Sequence, residues 1–316
     1  NTNREIDIRR YGASPDATAE RNQKAIQKAI DRCAKKGGGR VIVPAGLKFV
    51  TGAIELKSGV NLHIDEGAVL EFAFQPNLYP IVETSWEGLD CYNLSPCIYA
   101  LRADDIAITG KGTIDGGGTR ETWWPWCGAT KYGWKEGMTC QKIEARPRLL
   151  RNGEDGVPMT DEKGKPTKER TFTATDGLRP QLIGLNQCHR ILIEDVTLLR
   201  SPFWVIHPLK STDVIVRRVH INNDGPNGDG CDPESCDRVL IEDCYFNTGD
   251  DCIAIKSIIE STTTAIHKII APLTDMPLLS DCALLLIGFC VKSKHLPAKY
   301  AAATVTTASG SIYAKL

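Results

Sequence analysis

Two short acidic stretches have the residue types and the spacing to do chemistry. PNGDGCDPESC contains Asp229 and Asp232, and NTGDDCIAIKS contains Asp250 and Asp251. In an extended strand successive side chains point to opposite faces, so Asp251 would share a face with Ile253 and Ile255. An unpaired carboxylate on an apolar face costs several kcal/mol or is neutralised by protonation. Asp251 is therefore expected on the bend before the strand, with both adjacent acids toward solvent or a cleft. For an isolated GDD the bland reading, a turn built from Gly and Asp for backbone reasons, is the commoner one. Spacing moves that balance: Asp229 precedes Asp250 by 21 residues and Asp251 by 22. If that distance is one coil of a stacked structure, with strands ~4.8 Å apart, three carboxylates gather on one face of two neighbouring coils. Like charges so placed raise at least one pKa, leaving a proton donor beside a base that can activate water. Cleavage of a glycosidic bond uses a pair of carboxyl groups divided in this way.

The elements that must position these acids are legible upstream. In NQKAIQKAIDRCAKKGGG, residues Ala25, Ile26, Ala29, Ile30 and Cys33 form an apolar stripe at helical spacing, and Gly37, Gly38 and Gly39 end it. From Arg40 the texture becomes short β-branched runs between Gly, Pro, Asp and Asn, as in RVIVPAG, LKFVTGAIELKSG and VNLHIDEGAVLEF. A repeat follows: HRILIEDVTL at 189, TDVIVRRVHI at 212 and DRVLIEDCYF at 237, with an earlier copy, DDIAITGKGTI, at 104. Aligning Ile191, Val214 and Val239 gives steps of 23 and 25 residues. Such a period, with short strands and no helix between copies, predicts an all-β solenoid, a parallel β-helix, since the Leu and Asn pattern of a leucine-rich repeat is absent. The helix at 22–35 is expected to cap the open edge of the first coil.

Composition narrows the function classes. The chain has 316 residues, with Lys plus Arg 38 against Asp plus Glu 39 and a formal charge of −1, which argues against a nucleic-acid or membrane partner. The longest apolar run, ALLLIGFCV at 283–291, is about half of the ~18 residues a span needs. The chain begins at Asn1 without a methionine or an apolar leader, so a signal peptide is expected to have been removed or to lie outside this sequence. Twelve cysteines form no CxxC pair, which disfavours a zinc site. Cys188, Cys231, Cys236, Cys244 and Cys252 sit in strand-rich sequence and are expected as buried core thiols. Cys91 with Cys97, and Cys127 with Cys140, lie in loop-like sequence and are the candidate disulfides.

Two segments break the repeat. Between 116 and 180 lies a long insertion in which Trp123, Trp124, Trp126 and Trp134 crowd beside Lys131, Lys135, Lys142, Arg146, Arg148 and Arg151. A long irregular loop is commonly functional or disordered. Its tryptophans have two readings: they pack the loop onto the solenoid, or, with Trp124 foremost, they wall a groove that stacks on sugar rings while the basic residues attract an anionic polymer. Beyond Ser257 there is no Arg, Asn or Trp, and Gly occurs only at 288 and 310. Residues 258–316 therefore read as a tail unlike the catalytic solenoid of 1–257.

The pair NGDG and GDDCIAIKS, with RPQLIG, SPFWVIHP, VPAG, TGAIELKS and HIDEGAVL, resembles glycoside hydrolase family 28, the polygalacturonases and related pectin hydrolases, from about Ile6 to Ser257. The resemblance implies a right-handed parallel β-helix, no metal or other cofactor, and hydrolysis of α-linked galacturonan with inversion. It also implies a secreted or periplasmic protein, taken here as a monomer. By the same resemblance Asp250 is the general acid, and Asp229 with Asp251 hold and activate the water. Asn227, Lys256, His207 and Trp124 are the candidate substrate-binding residues. For His207 beside apolar residues a structural role is the commoner one, as a solvated position is for Lys256. Asp232, before Pro233, reads as a turn residue. The family continues with Gly–His–Gly and then Arg–Ile–Lys motifs. Here His267 and His295 lack flanking glycines and no arginine follows Arg238, so the resemblance predicts weakened activity. Two other classes stay open: a calcium-dependent pectate lyase, since clustered aspartates suit that ion, and a non-catalytic carbohydrate-binding solenoid. The choice between endo and exo action turns on whether a loop blocks the groove, and the Trp-rich insertion favours exo.

Overall fold

The structure is a computed structural model that describes residues 4–141, 171–256, 302–307 and 310–315. In chain order, strand β1 (Glu5–Asp7) precedes helix α1 (Ala19–Lys35), followed by β2 (Gly39–Val43), β3 (Lys48–Thr51), β4 (Ile54–Glu55), β5 (Val60–Ile64) and β6 (Val69–Phe72). A two-stranded excursion, β7 (Ile81–Trp86) and β8 (Leu89–Leu94), comes before β9 (Ile98–Leu101), β10 (Asp104–Thr109) and β11 (Thr113–Asp115). After the insertion the order resumes with β12 (Ile183–Asn186), β13 (His189–Glu194), β14 (Thr197–Leu199), β15 (Ile206–Leu209), β16 (Thr212–Arg217) and β17 (His220–Asn223). Then come β18 (Asp237–Glu242), β19 (Tyr245–Thr248), β20 (Ala302–Thr307) and β21 (Gly310–Lys315).

These strands wind into coils with three faces. The first face stacks β1, β2, β5, β10, β13, β16, β18 and β21, the second β3, β6, β11, β14, β17 and β19, and the third β4, β9, β12 and β15. Isolated bridges extend the third face by two coils, pairing Ile206 with Cys231 and Cys231 with Ile253. The predicted repeat is the observed ladder: Ile191 pairs with Val214 and Val214 with Val239, all in parallel. Inward residues of the three faces, such as Ile108, Ile193, Val216, Ile241, Leu198, Ile221 and Ile183, fill one continuous interior. Burying each such side chain contributes ~1.5–3 kcal/mol. Stacking identical coils is therefore how short strands acquire a core that none could bury alone.

Helix α1 starts where Thr18 Oγ1 accepts from the Arg21 N–H, three residues before the start expected from the apolar stripe. It buries that stripe, Ala25, Ile26, Ala29, Ile30 and Cys33, over the first coil. The cap so formed covers an edge that would otherwise offer unpaired backbone groups.

Both long departures leave the coil at one corner, between the second and third faces. The β7–β8 hairpin lies between β6 and β9, and the insertion between β11 and β12. The hairpin, the segment at 171–178 and Phe203–Trp204 fold back over the outside of the third face, where Trp86, Cys91, Phe172, Leu178, Phe203 and Trp204 form a second small core. For this reason β12 and β15 are buried on both sides.

Several expectations are corrected here. Cys91, Cys97, Cys127 and Cys140 are free thiols. Cys91 is buried in the outer core and Cys97 in the interior one, so a layer of packing separates the two. Cys127 Sγ instead accepts the Ala129 N–H at 3.4 Å. The five strand-region cysteines are buried thiols, as expected. Burial pushes Cys188 and Cys244 up to about 11 and Cys236 up to about 12. Of the insertion's tryptophans, Trp123, Trp124 and Trp126 join the interior core. Trp123 meets Phe74, Tyr79 and Trp126 edge to face. The packing reading of that cluster is the one the structure bears out. Lys142, Arg146, Arg148 and Arg151 lie outside the described residues, as does most of the tail at 258–316. Within it, β20 and β21 form an antiparallel hairpin, and β21 runs parallel to β18.

Candidate active site

The acids occupy the corner from which the two long excursions leave other coils. On one coil, β17 ends at Asn223 and the chain turns through Asp224–Gly230 to reach Cys231. One coil on, β19 ends at Thr248 and turns through Gly249–Asp251 to reach Ile253. The two turns are stacked by backbone bonds: Gly230 N–H donates to Asp251 O at 2.9 Å, Cys231 N–H to Cys252 O at 3.0 Å, and Gly249 N–H to Asn223 O at 2.7 Å. The contact is close enough to require glycine at 249, where an added Cβ would lie 2.4 Å from Gly225 O. Asp229 is thus set directly beside Asp251 in the ladder, as the 22-residue spacing suggested. Asp250 and Asp251 lie on the bend ahead of the third-face bridge, Asp250 exposed and Asp251 partly so.

Asp229 is 4% exposed. Burial pushes its carboxyl above the usual aspartate range, Asp250 and Asp251 push the same way, and the Lys256 ammonium pulls against them. Lys256 Nζ is 3.3 Å from Asp229 Oδ2 and 3.1 Å from Asp232 Oδ2, and stands 3.8 Å over the Trp204 ring. Burial disfavours the ammonium, but Asp232 and Asp229 outweigh it and hold Lys256 above the ordinary lysine value. Asp232 is no exposed turn residue. It is 0% exposed, and burial, reinforced by Asp229, drives it well above the usual range. The reason is alternation: Cys231 points into the interior core, so Asp232 and Glu234 stand on the outer side, and there the outer core covers them.

The other candidates separate. His207 is 1% exposed. Its Nε2 is 2.9 Å from Glu234 Oε2, which also accepts the Ser85 hydroxyl at 2.7 Å. It joins the hairpin to the third face and is buried there, the structural role that its apolar neighbours suggested. Trp124 is 8% exposed, its indole N–H donates to Ser201 O at 3.0 Å, and its ring lies where a Gly225 side chain would go. It braces the acid-bearing turn from behind, as the packing reading of the insertion's tryptophans expects. Asn227 does sit on that turn, its Oδ1 accepting from Arg179 at 2.8 Å.

Sequence reasoning missed Arg179. Its guanidinium is fully buried, donates to Pro202 O at 3.0 Å and Pro226 O at 2.7 Å, and lies 5.1 Å over the Phe203 ring. The signal was present as the arginine of RPQLIG, shortly before β12, which stacks through β15 toward the acid-bearing turns, but nothing local shows that it is buried. Among the described residues no cluster has the makings of a metal site, and no helix is long and apolar enough to cross a membrane.

The three-faced stack with acids at one corner defines a right-handed parallel β-helix. Residues 155–269 match the profile of glycosyl hydrolases family 28. The chain is similar to a hyperthermoactive exopolygalacturonase from Thermotoga maritima, 41% identical with a TM-score of 0.74 over 81% of this chain and 55% of that one. It also resembles a "Probable polygalacturonase" of Vitis vinifera, 31% identical over 75% of this chain and 41% of the relative. An exo-poly-alpha-D-galacturonosidase of Dickeya chrysanthemi is 30% identical over 78% of this chain and 41% of the relative. The chain belongs to glycosyl hydrolase family 28. It spans less than half the length of these two curated relatives.

Proposed function

We propose that this chain hydrolyses α-1,4-galacturonosidic bonds of pectic galacturonan with inversion, working from a chain end. The observation that carries the reading is the ladder that fixes Asp229 beside Asp251, with Asp250 exposed next to them. Asp250 donates its proton to the glycosidic oxygen as the C1–O bond breaks, so the leaving sugar departs as an alcohol. Asp229 with Asp251 takes a proton from a water that attacks C1 from the opposite face, and exchange with solvent restores both groups. A carboxylate whose proton affinity is raised by burial, as that of Asp229 is, makes the stronger base once ionised. Asn227, pinned through its side-chain carbonyl oxygen by Arg179, would offer its amide nitrogen as a donor to a sugar hydroxyl.

Exo action is supported by the hairpin. It lies along the outside of the third face, from Tyr99 and Asn186, both hydrogen-bonded to Glu83 O, past Lys210, paired with Asp90, to Glu234, which accepts from Ser85. A polymer laid along the stack over Asp229 meets this wall. The names of the Thermotoga and Dickeya relatives agree with that reading. A lyase would need its carboxylates free to wrap a calcium ion, whereas Asp229 and Asp232 already share an ammonium. Secretion and a monomeric state belong to the same proposal.

The test is digestion of polygalacturonate by the purified full chain. Reducing ends are expected without chelator-sensitive unsaturated product, and proton NMR at early times should show the β-anomer of galacturonic acid first. Asp250→Asn should lower kcat by ~10²–10⁴-fold with unchanged circular dichroism. Activity within a few-fold of the parent would reject the acid role, and chelator-sensitive unsaturated product would reject the hydrolase.

A further inference from the structure

Among the described residues Lys256 is the cation paired with Asp229, and in a site for a polyanionic sugar its obvious use would be to grip a substrate carboxylate. The geometry argues otherwise. Its ammonium lies 3.3 Å from Asp229, 3.1 Å from Asp232 and 3.8 Å over the Trp204 ring, and its side chain is only 24% exposed. An ammonium has three donors, and two carboxylates with an aromatic face already surround it.

We propose that Lys256 is a positioning residue for the base Asp229, held in place by the buried Asp232 and by Trp204, and that it does not bind the substrate carboxylate. This rests on the reading of Asp229 as base. Asp232 is the deeper anchor: with no exposure of its own it cannot meet ligand, and its ion pair with Lys256 fixes where the ammonium presents itself to Asp229. Trp204 closes the third side, so the lysine cannot swing out without giving up a cation–π contact. Ladder position explains the arrangement. Lys256 pairs with Glu234 across neighbouring coils, where Glu234 Oε2 meets His207 and Ser85, and its ammonium reaches diagonally to Asp232 and Asp229. The titratable and charged groups around Asp229 are Lys256 and Asp232 on the third face and Asp250 and Asp251 on the next turn, with Arg179 behind Asn227 and the His207–Glu234 pair farther along the face.

The charge has a working consequence. Asp250, Asp251 and burial all favour the protonated form of Asp229, in which it cannot accept a proton from water, and Lys256 is the one of these neighbours that opposes them. Removing the ammonium should raise the Asp229 pKa further. The base is lost as pH falls through that value, so the acidic limb of kcat/KM must move to higher pH.

The experiment compares the full-length parent with Lys256→Met and Lys256→Gln on trigalacturonate, reading kcat, KM and the pH profile of kcat/KM. The expected result is an acidic limb displaced upward by roughly one to three pH units, the range an opposite charge at this distance commands, a fall in kcat of at least tenfold at the parent's optimum, and KM within about twofold of the parent. Retained kcat and an unmoved limb, with KM raised tenfold or more, would overturn the proposal and return Lys256 to substrate binding. Lys256→Gln keeps a donor and most of the volume, and carries the same readouts if Lys256→Met fails to fold. A parent chain without hydrolytic activity would instead refute the functional reading beneath it, so the two failures are distinguishable.

Discussion

Arg179 shows how much one side chain can hold. It gives donors to Pro202 O, Pro226 O and Asn227 Oδ1, tying the segment before β12 to the turns of the next two coils. Arg179→Met keeps much of the volume but leaves three acceptors without this donor, at about 1–3 kcal/mol for each buried group. A loss of about 3 kcal/mol or more in urea unfolding is expected, and kcat should fall because the turn bearing Asp229 is no longer braced. A change under about 1 kcal/mol would show that the guanidinium is incidental. At this scale the sequence was uneven. Asp229, Asp250 and Asp251 were legible because a carboxylate beside an apolar run needs a reason and the 21- and 22-residue spacing supplied one. Arg179, Asp232 and Glu234 were not, because what buries them is the outer core, assembled from the distant Trp86, Cys91 and Phe172, and no local pattern announces that cover.

Among the elements, the β7–β8 hairpin is the one on which the proposal of exo action rests. Trp86 at its turn is fully buried and stacks on Phe203, with ring centroids 5.6 Å apart and planes at 13°. Trp86→Ala removes a large buried ring, an effect worth ~3–5 kcal/mol, and should loosen the wall ahead of the cleft. Products from polygalacturonate should then shift from monomer toward longer oligomers by anion-exchange chromatography, whereas an unchanged monomer-only pattern would show that the hairpin does not set the mode of attack. The elements themselves were readable: the helix from its stripe, and the coils from Ile191, Val214 and Val239, which stand in the very register their alignment predicted. The hairpin carries no trace of the repeat because its strands stand outside the stack, pairing with each other and, at Tyr92, with Thr171. The Trp-rich segment was harder still, since aromatic crowding looks alike whether it faces sugar or core, and Trp123 shows that here it faces core.

For the molecule as a whole, the stack has a direction. α1 covers the first coil, while the acids belong to the coils farthest from it within 4–256. Every coil is joined to its neighbours by hydrogen bonds that run along the stack, so tension applied to the two ends opens them a few at a time, as a zip opens, and does not shear them together. In an optical trap the molecule should lengthen in discrete jumps, each releasing one turn of about 23 residues, roughly 80 Å of contour at ~3.4 Å per residue. Since the helix guards one end, unravelling should run from the other, and the coil bearing Asp250 and Asp251 should come free before those nearer α1. A galacturonate oligomer lying across Asp229 and Asp251 would bridge that seam, and its presence should be felt as a higher force at this one jump and no other.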